Sequence, residues 1–75
     1  MATVKQALEE HDVVSLVEAV DKVEGIGKWP AGTVGAIVID YGDMKMIEVA
    51  NERGETLDLP MVPVEKLELV AKHSH

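Results

Sequence analysis

The 75-residue chain has no cysteine, which excludes a disulfide framework, a thiolate zinc site and a cysteine nucleophile. It has no phenylalanine, and its aromatic residues are one tryptophan, Trp29, and one tyrosine, Tyr41. The core therefore has to be built from Val, Leu, Ile and Met. Cations are scarce: seven Lys and Arg stand against fourteen Asp and Glu, a net charge of −7. The cations are scattered, without the basic stripe that holds a phosphate backbone, so nucleic acid is not an expected partner. No apolar run approaches the ~18 residues of a membrane span, and no charged n-region and apolar h-region open the chain. The expected location is the cytoplasm, with no membrane partner.

What remains is one small domain, residues 1–75, since domains run to about 50–200 residues. Hydrophobic residues make up 47% of it, enough for a packed globule despite the charge. Residues 1–10 form a short helical lead-in. Thr3 stands as N-cap with Gln6 three residues later, and Val4, Ala7 and Leu8 share one face. From His11 the pattern turns to strands. Asp12 to Val17 is a β-branched run and predicts a first strand, followed by a long loop from Ala19 to Ala31 that holds Gly25, Gly27 and Pro30. Thr33 to Tyr41 is the clearest strand, and Gly35 inside it marks a bend or a close approach of backbones.

Gly42-Asp43 reads as a two-residue hairpin turn of type II′. That turn pairs Asp40 with Lys45, Ile39 with Met46, Val38 with Ile47, Ile37 with Glu48 and Ala36 with Val49. Ala36, Val38, Ile47 and Val49 then form the core face. Glu52-Arg53-Gly54 reads as a second turn, with Gly at the left-handed position of a type I turn plus bulge. It pairs Val49 with Leu57, Glu48 with Asp58 and Ile47 with Leu59. Pro60 and Pro63 end the fourth strand. Val64-Glu65-Lys66 is one 3₁₀ turn, and Leu67 to Val70 is a short fifth strand. Five short strands, a long first loop and a 3₁₀ turn before the last strand predict a mainly β fold. The architecture expected is a small five-stranded SH3-like barrel over 11–70, with a short N-terminal helix and a tail at 71–75.

Several segments occur together in this order: His11-Asp12-Val13-Val14, Gly32-Thr33-Val34-Gly35, Tyr41-Gly42-Asp43, Gly54-Glu55-Thr56-Leu57 and Leu67-Glu68-Leu69-Val70. Over roughly residues 10–70 the chain resembles a bacterial family of small proteins, the domain-of-unknown-function 4926 family. The resemblance implies a small SH3-like barrel and an accessory or interaction module, a toxin-neutralising partner protein among the possibilities. It implies no activity, cofactor or catalytic residue. The chain departs from that family at Lys45, where an aromatic is usual, and at Met46, where an acid is usual.

The candidate site residues lie mostly on the face opposite the expected core. Ile37, Ile39, Tyr41, Met44 and Met46 project there in the register above. An apolar patch of that kind marks a protein contact or a homodimer interface, and Met suits adaptable contacts. The competing reading is that the N-terminal helix folds back and covers the patch with Val4, Ala7 and Leu8. Glu48 and Asp58, opposite each other on the same face, are a point for a partner's Lys or Arg, a weak one for a divalent cation, or two solvated carboxylates. Trp29, in the long loop, is either a groove wall that binds a partner or a lid over the barrel.

No catalytic group emerges. His11 and Asp12 are chain neighbours that a strand points to opposite faces, and Ser15 and Ser74 have no nucleophile-elbow context. The six glycines form no Gly-rich loop opening a helix, which excludes a phosphate loop. His73 and His75 lack the further fixed ligands of a metal site, so no metal and no cofactor are expected. The expected function is a non-enzymatic protein-interaction module with a protein partner or a second copy of itself. The alternative is an accessory or sensing subunit that completes a site with a second chain.

Overall fold

Alternating aliphatic and polar residues between tight turns dictate strands, and strands are the main regular structure of the described part of the chain. The computed structural model describes residues 7–73. The eight strands are β1 (Val13–Leu16), β2 (Val20–Asp21), β3 (Lys28–Trp29), β4 (Val34–Asp40), β5 (Met44–Ala50), β6 (Thr56–Asp58), β7 (Met61–Pro63) and β8 (Leu67–Ala71). A 3₁₀ turn, Val64–Lys66, precedes β8 as the sequence predicts. The expected helix is not seen where it can be examined: Ala7 to Glu9 are irregular, and Glu10-His11 is a turn. Its capping residues, Thr3 and Gln6, and its face residue Val4 lie outside the described residues.

The main sheet has six strands, not five. Its order is β6-β5-β4-β1-β8, with β7 also on β5. All pairings are antiparallel. Pro60 has no N–H to give a ladder, and it divides the expected fourth strand into β6 and β7, which follow each other along one edge of β5. The sheet is not closed: among the described residues no strand pairs the far edge of β8. The long loop carries its own ladder, Val20 with Trp29 and Asp21 with Lys28.

Both hairpin turns form as their residues dictate. Gly42 has φ 85° and Asp43 stays out of the positive-φ region, the φ signs of a type II′ turn; the Tyr41 N–H donates to the Met44 carbonyl at 2.9 Å. Gly54 has φ 81°, and its N–H donates to the Asn51 carbonyl at 3.0 Å. Beside the first turn the predicted register holds, pairing Asp40 with Lys45 and Ile39 with Met46; beside the second, Ala50 stands opposite Thr56, and none of the expected pairs Val49–Leu57, Glu48–Asp58 and Ile47–Leu59 is in the ladder. Farther along, each hairpin slips at a β-bulge. Ile37 pairs Ile47 and Ala36 pairs Glu48, with Val38 the extra residue. Asp58 pairs Val49, with Leu57 the extra residue.

Because strand residues alternate between faces, each slip exchanges an inner residue for an outer one. Ile37 is buried where Val38 was expected, and Val38 and Ala36 are half-buried. Asp58 is buried, whereas Leu57 and Leu59 are 46% and 41% exposed. The core consists of Val14, Leu16, Ile37, Ile47, Val62 and Leu67, with Leu8, Val20 and Trp29 packed against it. Val49 is buried as expected.

A buried carboxylate ties the two ends of the described chain. Asp12 is 1% exposed. It accepts the Glu9 N–H at 2.8 Å, the Lys72 ammonium at 2.7 Å and the His73 N–H at 2.8 Å. Burial pushes its pKa up, but the His73 amide, the Lys72 ammonium and the Glu9 amide outweigh it, lowering the pKa from 3.8 to about 2. A carboxyl depressed in the folded state stabilises above its unfolded pKa, and that stability is lost as pH falls toward the folded value. Asp12 should therefore contribute about 2 kcal/mol that disappears between about pH 4 and pH 2. Urea midpoints across that window should fall for the wild type, and the fall should be shallower in Asp12→Asn. Parallel pH curves for the two proteins would refute the assignment.

Candidate functional site

The outward face of β5 presents Met44, Met46 and Glu48, because Lys45, Ile47 and Val49 turn inward. Across the sheet, Met46 pairs Ile39 on one side and Met61 on the other, forming an apolar row over three strands. The next row holds Met44 beside Pro63, with Tyr41 closing the turn against Met44. Ile39, Tyr41 and Met61 are substantially exposed, and Met44 and Met46 are half-buried. Of the predicted patch, the structure brings together Ile39, Tyr41, Met44 and Met46.

Ile37 leaves the predicted patch. It is fully buried in the core, since the bulge at Val38 turns it inward. Met61 joins instead. The sequence hid this residue because the pairing of β7 beside Met46 depends on where Pro60 breaks the strand.

Glu48 and Asp58 are not opposite each other. Glu48 pairs Ala36, and its carboxylate accepts from the Thr56 hydroxyl. Asp58 faces inward and is 2% exposed. Its Oδ2 accepts the Val23 N–H and the Trp29 indole N–H, both at 2.8 Å, and its Oδ1 accepts the Glu24 N–H at 2.9 Å. Burial pushes this carboxyl up, but the bonds from Trp29, Val23, Glu24 and the Leu59 amide outweigh it and hold it below its ordinary value. Asp58 therefore pins the β2–β3 loop and is not a contact for a partner's cation.

Trp29 is half-buried against the core. Its N–H is taken by Asp58, and the Lys22 ammonium lies 4.7 Å from the ring centroid, a cation–π contact. These contacts hold Trp29 against the core and to the loop that carries it.

A concavity lies at the end of the sheet, an open groove of about 760 Å³. Leu8, Val64, Leu67 and Leu69 supply its apolar lining, with Glu9, Asp40, Lys45, Glu65 and Glu68 among its polar residues. Ala7 and Leu8 line this groove, whereas the covering reading of the N-terminal segment put them over the methionine row. Lys45 is 4% exposed and is ion-paired with Asp40. That pairing, with the Gly42 amide, holds the Asp40 carboxyl below its ordinary value.

His11 does not engage Asp12, whose carboxylate is occupied by Glu9, Lys72 and His73. The His11 ring lies 5.1 Å from the His73 ring, centroid to centroid. His11 has φ 76°, a left-handed conformation that His tolerates better than β-branched residues. Among the described residues no group of three or more His, Asp or Glu could hold a metal ion. None of their helices is long and apolar enough to cross a membrane.

No curated protein and no solved structure matches the chain. Residues 10–69 match the family described as Domain of unknown function (DUF4926). That span runs from the turn before Asp12 into β8 and contains both hairpins, the Asp58 clasp and the methionine row. The chain belongs to the DUF4926 family.

Proposed function

We propose that the protein is a non-enzymatic interaction module of SH3-like design that self-associates through the outer face of β4, β5 and β7. The strand order β6-β5-β4-β1-β8, the long first connection and the 3₁₀ turn before β8 support the SH3-like reading. Occupation of the Asp12 carboxylate by backbone and lysine donors supports a structural role for that residue over acid–base work.

The observation that carries the proposal is the row Ile39–Met46–Met61, flanked by Tyr41 and Met44. These side chains carry no charge. Chains of net charge −7 repel each other over most of their surface, and this uncharged row, with Glu48 at its margin, is where two copies meet at least electrostatic cost. A two-fold contact uses one patch twice. Wild type should sediment as a concentration-dependent dimer. Met46→Glu should keep its circular-dichroism spectrum and run as a monomer. Monomeric wild type at millimolar concentration, or a mutant that still dimerises, would end the proposal.

A further inference from the structure

The groove at the end of the sheet uses none of the methionine row. Three features of it point the same way. First, it is lined by Leu67, Glu68 and Leu69, three consecutive residues of β8. A strand shows alternate residues to either face, so consecutive residues meet one groove only when it runs along the strand's edge. β8 is the terminal strand of the sheet, and among the described residues no strand pairs that edge. Main-chain groups there are a template for another strand.

Second, the charge is one-sided. Asp40 is balanced by Lys45, and Glu9 lies 3.9 Å from Lys72. Glu65 and Glu68 have no cation within 4.0 Å among the described residues. Third, buried Lys45 lines the groove and gives one hydrogen bond, to Asp40. An ammonium has three N–H donors, so it retains donors for a carbonyl oxygen.

We propose that this groove takes an extended basic segment of a partner protein, which adds as a strand along the outer edge of β8. An aliphatic side chain of that segment enters between Leu8, Val64 and Leu67, and its Lys or Arg residues meet Glu65 and Glu68. Main-chain bonds supply affinity in strand addition, and the alternate side chains supply specificity. A second copy of this chain is a poorer occupant, because with seven Lys and Arg against fourteen Asp and Glu it brings carboxylates to carboxylates.

The test titrates the full-length ¹⁵N-labelled protein with a peptide of alternating lysine and valine, about ten residues long, and with its glutamate–valine counterpart. The lysine peptide should shift the amides of Leu8, Val64 and Leu67 to Leu69. Its affinity should fall about tenfold in Glu65→Lys/Glu68→Lys and with added salt, and stay unchanged in Met46→Glu, which separates this groove from the outer face. Equal binding of the glutamate peptide, shifts confined to other regions, an unaffected double variant, or no binding at millimolar peptide would each overturn the proposal. So would groove resonances that move with protein concentration alone, which would assign the edge to a second copy. Nuclear Overhauser contacts from residues 1–6 to β8 would assign it to the chain itself and overturn the proposal equally.

Discussion

Asp58→Ala should cost about 4 kcal/mol of stability, the largest loss expected of any single substitution outside the apolar core. The carboxylate is the shared acceptor for the Val23 and Glu24 amides and the Trp29 indole. Alanine would leave these donors without their acceptor. The cost is moderated because Val23 and Glu24 lie on an exposed loop where water can replace the lost bond. For a chain of this length a total stability of roughly 4–11 kcal/mol is ordinary, so the variant should lose a third or more of it and unfold at a much lower urea concentration than the wild type. Asp58→Asn keeps an acceptor oxygen but gives up the charge, and should lose about half as much. Trp29 fluorescence in urea reads the effect directly, since the indole is one of the donors. If Asp58→Ala unfolds within ~1 kcal/mol of wild type, the clasp does not hold the loop.

Gly35→Ala should destabilise by about 3 kcal/mol, at the upper end of the overpacking range. A Cβ at Gly35 would stand 2.5 Å from Ile47 Cγ2 and 2.6 Å from the Glu48 carbonyl oxygen. Ile47 is buried at 2% exposure and cannot swing away, and the carbonyl is main chain. β4 and β5 would have to separate beside the bulge at Val38. Gly32→Ala is the informative comparison. Gly32 has φ 90° and nothing within 4 Å of an added Cβ, so that variant suffers conformational strain alone, about 1 kcal/mol. Guanidinium unfolding should rank wild type above Gly32→Ala and Gly32→Ala above Gly35→Ala. The reverse order of the two variants would show that β4 and β5 do not approach this closely.

The parts of the fold that could be read in advance are those that depend on neighbouring residues. Gly42 and Gly54 are needed where the backbone turns left-handed, and each sets the pairs next to it. The 3₁₀ turn after Pro63, the aliphatic first strand and the close approach at Gly35 are likewise local. The same limit governs the site. Ile39, Tyr41, Met44 and Met46 lie within reach of the Gly42 turn, and they are the residues of the predicted patch that share the outer face.

Errors begin one bulge away from each turn. An added residue in one strand has no local signature at Val38 or Leu57, yet it exchanges every inner and outer position beyond it. The physical cause lies in distant partners. Asp58 turns inward to meet donors on Val23, Glu24 and Trp29, about thirty residues earlier in the chain, and Leu57 is displaced outward. Asp12 likewise finds Lys72 and His73 at the far end of the chain.

By itself the sequence determined that the protein is mainly β, Cys-free and acidic, that it belongs with the DUF4926 proteins, and where its two tight turns fall, because composition and turn chemistry are properties of adjacent residues. The tertiary structure alone decided that Ile37 is core and Met61 is surface, that Asp12 and Asp58 are buried clasps, and that the edge of β8 lies open beside a groove. Those outcomes depend on which distant donors and strands meet, and no local pattern encodes that.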